Sequence, residues 1–234
     1  MKLDALSSTA TRHVARRVHR GRKAYVMKSV KNGLEIRLES RDELALAKVL
    51  DLDPRGSQLY AQSETFDLIS GDVYHALPDN KHLDSRYYTP DLIDVIFDVK
   101  CVFEVKPLRF LPAHQELFDA VGNFCRRKGM RFIVISKESL GGTLLGNVAL
   151  LHQFARQCKE VLPLWAGAVD ALSVKSGHVN DVLSCLAPAN HYLIAALLQG
   201  VLKTDLHKIN LASMDFSVEP AHGDLTALEF VKYD

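Results

Sequence analysis

The sequence predicts a mixed α/β protein, in which a central sheet is flanked by helices and followed by a mainly helical C-terminal part. Residues 25–136 alternate between strand-like and helix-like patterns, whereas helix-like runs dominate residues 141–207. Hydrophobic residues make up 47% of the 234 residues, an ordinary globular value that excludes a fibrous or wholly disordered chain. The first part has too few β-α-β repeats for a doubly wound nucleotide-binding fold, and no G-x-G-x-x-G or Walker motif occurs.

A hairpin and a helix are predicted first. A-Y-V-M-K-S-V and L-E-I-R-L-E alternate like strands, and Asn32-Gly33 between them favours a two-residue turn. Ser40 is typical of a helix N-cap, and Glu43 follows at the capping-box position, so we predict a helix from there to about Leu50. The D-P-R-G run after it indicates the end of this helix.

The remaining elements of the sheet follow in order. Residues 58–77 are predicted to be extended, with a turn at Ser70-Gly71-Asp72. After a polar loop, Y-Y-T-P-D-L-I-D-V-I-F and K-C-V-F-E-V-K-P are predicted to be adjacent strands joined by a tight turn near Asp98-Val99. A helix over residues 113–128 and a buried strand, R-F-I-V-I-S, complete this part.

The pattern changes after Ser136. Three short helical runs precede L-T-A-L-E-F-V-K-Y, which alternates like a strand, and this order is typical of a winged-helix-like domain. We therefore predict an arm over residues 1–23, an α/β domain over 24–138 and a helical, winged-helix-like domain over 139–234.

Charge is distributed unevenly along the chain. Residues 1–37 contain ten Lys or Arg and two acids, so they carry a net +8 and leave −7 for the remainder. A basic arm on an acidic body predicts contact with a polyanion such as DNA, although a solubilising tail remains the alternative. No apolar run is long enough to span a membrane, and no signal core or disulfide framework is apparent, so we expect a cytoplasmic protein without a membrane partner.

Four residues form a candidate site. Glu104 and Lys106 lie two positions apart in one predicted strand and share a face, and Asp91 begins the neighbouring strand. Two close carboxylates favour a bound cation, and oxygen ligands of this kind select Mg²⁺ or Mn²⁺. A lysine beside the ion can orient or deprotonate water or stabilise charge on a phosphate, and Glu43 could add a further carboxylate.

Each of these residues also has a purely structural interpretation. Glu104 and Lys106 form an ordinary pair on a strand, Asp91 follows a proline as turn residues do, and Glu43 caps its helix. The ordered set favours function, because converging charges within strongly apolar strands are unusual for a simple surface face.

This ordered set resembles the PD-(D/E)XK nuclease superfamily and, within it, the TnsA-like endonuclease subunits of heteromeric cut-and-paste transposases. The matching stretches are E-S-R-D-E-L-A-L-A-K-V-L-D-L-D-P, Y-T-P-D-L, E-V-K-P and A-L-L-Q-G-V-L-K-T-D-L, which extend over roughly residues 39–206. The resemblance implies a restriction-endonuclease-like mixed sheet flanked by helices for residues 24–138. It also implies that the winged-helix-like domain over 139–234 contacts partner proteins.

The resemblance also implies roles for the site residues. Asp91, Glu104 and the main-chain carbonyl of Val105 would bind the metal, Lys106 would be the catalytic lysine, and Glu43 would complete the metal shell. The implied activity is Mg²⁺-dependent cleavage, with Mn²⁺ able to substitute, of the 5′ strand at transposon ends in double-stranded DNA. The implied partners are a DDE-type transposase, which cuts the other strand, and an AAA+ ATPase that regulates the pair at the bacterial nucleoid.

Two other functions stay open at this point. The first is a stand-alone restriction or repair nuclease of the same superfamily. The second is a DNA-binding regulator whose winged-helix-like domain acts on a decayed nuclease scaffold, although retention of all four candidate residues argues against decay.

Overall fold

A computed structural model describes residues 25–75 and 84–233. The predicted basic arm over residues 1–23 lies outside this described part. The described residues form two compact units: the first comprises 25–51, 55–139 with the same gap, and Tyr233, and the second comprises 52–54 and 140–232. No helix in the described part of the chain is both long and apolar enough to cross a bilayer.

The first unit is built on a mixed four-stranded sheet. Its elements are, in chain order, β1 (Tyr25–Lys28), β2 (Glu35–Leu38), α1 (Arg41–Leu52), β3 (Gly56–Ala61), β4 (Thr65–Asp67), β5 (Val73–Tyr74), β6 (Tyr87–Tyr88), β7 (Leu92–Ile96), β8 (Val99–Lys106), α2 (Leu111–Arg127) and β9 (Arg131–Ser136). The main sheet has the order β3-β7-β8-β9, in which only β8 and β9 are parallel. A hairpin of β1 and β2 and a small sheet β5-β4-β6 accompany it. The prediction of an α/β unit with a mixed sheet flanked by helices is therefore confirmed.

The core of this unit lies between α2 and the sheet. Ile93 and Val102 of the sheet pack with Val121 and Phe124 of α2, and Phe66 of β4 stacks on Phe124 with ring centroids 4.8 Å apart. The period-3.6 pattern that predicted α2 therefore corresponds to its buried face. β9 was predicted to be buried, but it is an edge strand, and most of its side chains are only partly covered.

Two turns differ from their predictions. The β1–β2 connection spans residues 29–34 and is not a two-residue turn, because its backbone wraps a buried carboxylate: Ser29 Oγ and Val30 N–H donate to Asp51 at 2.5 and 2.7 Å. The β7–β8 turn is a two-residue turn at Phe97-Asp98, one residue earlier than predicted. Its φ values of 48° and 63° match the left-handed geometry that suits the twist of a hairpin.

The second unit combines helices with a small antiparallel sheet. Its elements are α3 (Gly142–Gln157), α4 (Leu162–Asp170), β10 (Gly177–His178), α5 (Val179–Val182), α6 (Ala189–Leu198), β11 (Leu202–Lys203) and β12 (Ser217–Pro220). The strand order is β10-β12-β11. The sequence did not predict α4 as a separate helix; its proline lies in the first turn, where no N–H is needed.

The strand predicted near the C-terminus is wrong. Residues 225–233 contain a short 3₁₀ turn, Thr226–Leu228, and no strand. The buried side chains of this segment, Leu228, Val231 and Tyr233, lie three and two residues apart, so their burial does not alternate as it would in a strand. An alternating sequence alone does not create a ladder, which also needs a neighbouring strand with free backbone groups.

A buried ion pair explains why residue 56 is glycine. Lys31 Nζ lies 2.8 Å from Asp94 Oδ2, and the Asp94 side chain is fully buried in β7. The other oxygen of Asp94 accepts the N–H groups of Gln58 and Val95 at 3.1 and 2.8 Å. A Cβ on Gly56 would lie 2.1 Å from Lys31 Nζ and 2.3 Å from Asp94 Oδ2, so no larger residue fits beside the intact pair.

Gly56→Ala is therefore expected to lower the free energy of unfolding by about 2–4 kcal/mol, because it separates a buried ion pair and leaves Asp94 without its counter-charge. Urea denaturation would measure the loss. Gly122→Ala is the matched control: in the middle of α2 the nearest atom to an added Cβ is 3.8 Å away, and alanine should leave stability unchanged or raise it by up to about 1 kcal/mol. Equal stability of the two variants would contradict this account of Gly56.

Candidate active site

The candidate residues meet where β7 begins and β8 ends. The pairing of Leu92 with Phe103 continues the register so that Asp91 lies directly opposite Glu104. Side chains at directly opposed positions of an antiparallel pair are close neighbours on one face of the sheet. Because Lys106 follows Glu104 by two residues, all three side chains share this face.

Lys106 connects the two carboxylates. Its Nζ lies 2.5 Å from Glu104 Oε1 and 3.6 Å from Asp91 Oδ2. Asp91 Oδ2 also accepts the N–H of Val105 at 3.1 Å, which holds the carboxylate against β8. The ammonium group thus occupies the position between two negative groups where electrostatic attraction for a cation is strongest.

Glu43 approaches the same group from α1 and also stabilises that helix. Its N–H donates to Ser40 Oγ at 3.1 Å, and its Oε2 accepts the N–H of Glu39 at 2.8 Å. The side chain is buried, and its charge acts on both Asp91 and Lys106. The capping interpretation and the electrostatic one therefore both apply to Glu43.

Two carboxyl groups of the site, those of Asp91 and Glu43, have raised pKa values. Burial, followed by the charges of Glu104 and Glu43, raises the pKa of Asp91 to about 8. Burial also raises the pKa of Glu43. For Lys106, burial alone would lower the pKa, but the charges of Asp91 and Glu104 outweigh it and the pKa is raised. Three carboxyl groups thus lie near one lysine, and a further cation would favour their ionised forms.

Tyr88 belongs to the site and was missed in the sequence. Its hydroxyl donates to Glu104 Oε2 at 2.5 Å, so both oxygens of Glu104 have partners. Burial and then the charge of Glu104 raise the pKa of Tyr88, which keeps the phenol protonated as a donor. The only sequence signal was its position in Y-Y-T-P-D, three residues before Asp91.

The residues present fit a metal ion held by two side chains. In residues 25–75 and 84–233, no three His, Cys, Asp or Glu side chains are grouped so as to hold a metal ion. Mg²⁺ is commonly bound through one or two carboxylates, with water and substrate phosphate completing its octahedral shell. Asp91 and Glu104 are such a pair, and an ion between them would share the Glu104 oxygens with Lys106 and Tyr88. Burial, and then the charges of Glu104 and Glu43, raise the pKa of Asp91, and a divalent ion would offset the second of these effects.

Neither the protein-family models nor the curated proteins include a match to this chain.

Proposed function

We propose that this chain is a Mg²⁺-dependent DNA endonuclease of the TnsA-like type, which cuts the 5′ strand at transposon ends. The observation that carries the proposal is Lys106 positioned between Asp91 and Glu104 on neighbouring strands. A helix bearing Glu43 precedes these strands and α2 follows them, which is the motif order expected of a restriction-endonuclease-like domain.

Each residue has a role in the proposed reaction. Asp91, Glu104 and the main-chain carbonyl of Val105 would hold the metal, and Glu43, predicted from the sequence to complete its shell, would act on the site through its charge. The bound ion would lower the pKa of a coordinated water and offset charge on the phosphate. Lys106 would donate to the phosphate or orient the attacking water, and Tyr88 would keep the Glu104 carboxylate in position. Cleavage would leave a 5′-phosphate.

The second unit would provide the protein contacts. Its helices followed by the antiparallel strands β11 and β12 support a winged-helix-like assignment. We propose that it contacts a DDE-type transposase and an AAA+ ATPase, while the basic arm over residues 1–23 holds double-stranded DNA. A partner would hold the duplex against the site, because residues 38–234 carry a net −7 and disfavour DNA there.

A strand-specific cleavage assay tests this function. A transposon-end duplex labelled on each strand would be incubated with this protein, with its DDE transposase and with both, in Mg²⁺ and in EDTA. We expect 5′-strand cutting only with both proteins and Mg²⁺. Efficient site-specific cutting by this chain alone would replace the proposal with a stand-alone nuclease. DNA binding without cutting in every combination would replace it with a DNA-binding regulator.

A further inference from the structure

An exposed apolar and basic segment directly follows the candidate active site. Pro107 ends β8, and Leu108–Phe110 form one 3₁₀ turn before α2 begins. The Leu108 and Phe110 side chains are 53% and 44% exposed, and the Arg109 guanidinium lies over the Phe110 ring, 4.7 Å from its centroid. We call residues 108–110 the rim segment. Other large apolar residues of the described chain are also exposed, but this pair lies within four residues of Lys106 and beside an arginine.

The rim segment is held in a defined position. The N–H of Leu108 donates to Glu138 Oε2 at 3.0 Å, and the N–H of Phe110 donates to the carbonyl of Pro107 at 2.9 Å. Proline has a restricted φ, which further limits the path of the chain between Lys106 and the turn. The exposed side chains are therefore presented by an ordered backbone only a few residues from Lys106.

Basic groups accumulate at the same edge of the sheet. Ser136 pairs with Lys106, so β8 and β9 end at this edge together. Lys137 follows immediately and forms an ion pair with Asp42, in the first turn of α1, with Nζ 3.0 Å from Oδ1. Arg109 and Lys137 lie near Glu138 at this edge, and Arg109 covers one face of the Phe110 ring. The edge thus offers cations for phosphates and, on the other face of this ring, an aromatic surface for a base.

We propose that the rim segment contacts DNA next to the cleaved phosphate, with Arg109 on a neighbouring phosphate and Phe110 against a base that has left its stack. This inference rests on the proposed endonuclease function and narrows its substrate to duplexes that are kinked or opened at the cut. Apolar side chains of this kind enter base steps and unstack them. A base on an aromatic ring gains roughly 1–3 kcal/mol, which offsets the energy of opening the step.

The test measures binding without cutting. The full-length chain would carry Asp91→Asn in all samples, and the probes would be a matched duplex and one with a single mismatch, each bearing 2-aminopurine at that position. We expect the mismatched duplex to bind about tenfold more tightly and its fluorescence to rise on binding. Phe110→Ala should remove both the preference and the rise.

The chain offers matched controls. Phe97 is also exposed but lies in the turn at the opposite end of β8, roughly 20 Å away at 3.3 Å per residue, so Phe97→Ala should retain both signals. Arg109→Ala should weaken binding to both duplexes alike and reduce the dependence of log affinity on log salt by about one. Arg127 lies at the far end of α2, so Arg127→Ala should change the slope of log affinity against log salt less than Arg109→Ala does.

The outcomes separate this inference from the function on which it rests. If Phe110→Ala binds both duplexes as its parent does while the wild-type chain still cuts transposon ends, the rim inference is overturned and the endonuclease stands. If Phe110→Ala leaves DNA binding intact but prevents association with the transposase, the rim segment is a protein-docking surface and the inference is again overturned. If the parent binds neither duplex, with or without the transposase, the proposed function itself fails.

Discussion

Lys106→Ala is expected to slow cleavage by roughly a hundred- to ten-thousandfold, the range for removing a positioned acid, base or electrostatic stabiliser. The reason is the position of its ammonium group, 2.5 Å from Glu104 and 3.6 Å from Asp91. Single-turnover cutting of a labelled transposon end, in the presence of the transposase and Mg²⁺, would measure the rate. Circular dichroism would verify that the variant is folded.

Lys100 provides a matched control on the same strand. It lies on the same face of β8 as Lys106 and also pairs with a carboxylate, Glu64, at 2.7 Å, but at the other end of the strand. Lys100→Ala should therefore keep its cleavage rate within a few-fold of wild type. If both variants lose activity equally, or if both keep it, Lys106 forms only a structural ion pair on its strand. The catalytic assignment would then be wrong.

The second large effect is a loss of stability with rising pH. The pKa of Asp91 is about 8 in the folded protein, against 3.8 for an ordinary aspartate. Between these values unfolding releases a proton, so stability falls as pH rises, by at most about 1.4 kcal/mol per pH unit. In metal-free buffer we expect the free energy of unfolding to drop by about 2 kcal/mol between pH 6 and pH 8, measured by urea denaturation.

Asp91→Asn should remove most of this pH dependence, because the amide does not ionise. Asp98→Asn, an exposed turn residue, should leave it unchanged. Addition of Mg²⁺ at pH 8 should restore stability to the wild type by about 1–3 kcal/mol at saturation and leave Asp91→Asn unaffected. A flat pH profile for the wild type would show that Asp91 ionises normally, and an equal Mg²⁺ effect on both proteins would place the metal elsewhere.

Local patterns were sufficient to predict most of the elements. Apolar runs predicted the paired strands around E-V-K, and a period-3.6 pattern predicted the helix after them. Ser40 with Glu43 predicted the start of α1. The convergence of Asp91, Glu104 and Lys106 was also expected from the sequence. It follows from two short-range rules: alternate residues of a strand share a face, and neighbouring antiparallel strands oppose each other across a short turn.

Contacts between distant parts of the chain could not be predicted in this way. Tyr88 reaches Glu104 from another sheet, and Gly56 is required because Lys31 and Asp94 fill the space beside it. The loop around Asp51 and the irregular path of residues 225–233 likewise depend on what each segment packs against. Periodicity in the sequence predicts which side chains are buried. It does not predict which residues they contact, because close packing and the pairing of buried polar groups bring together residues that are distant in the sequence.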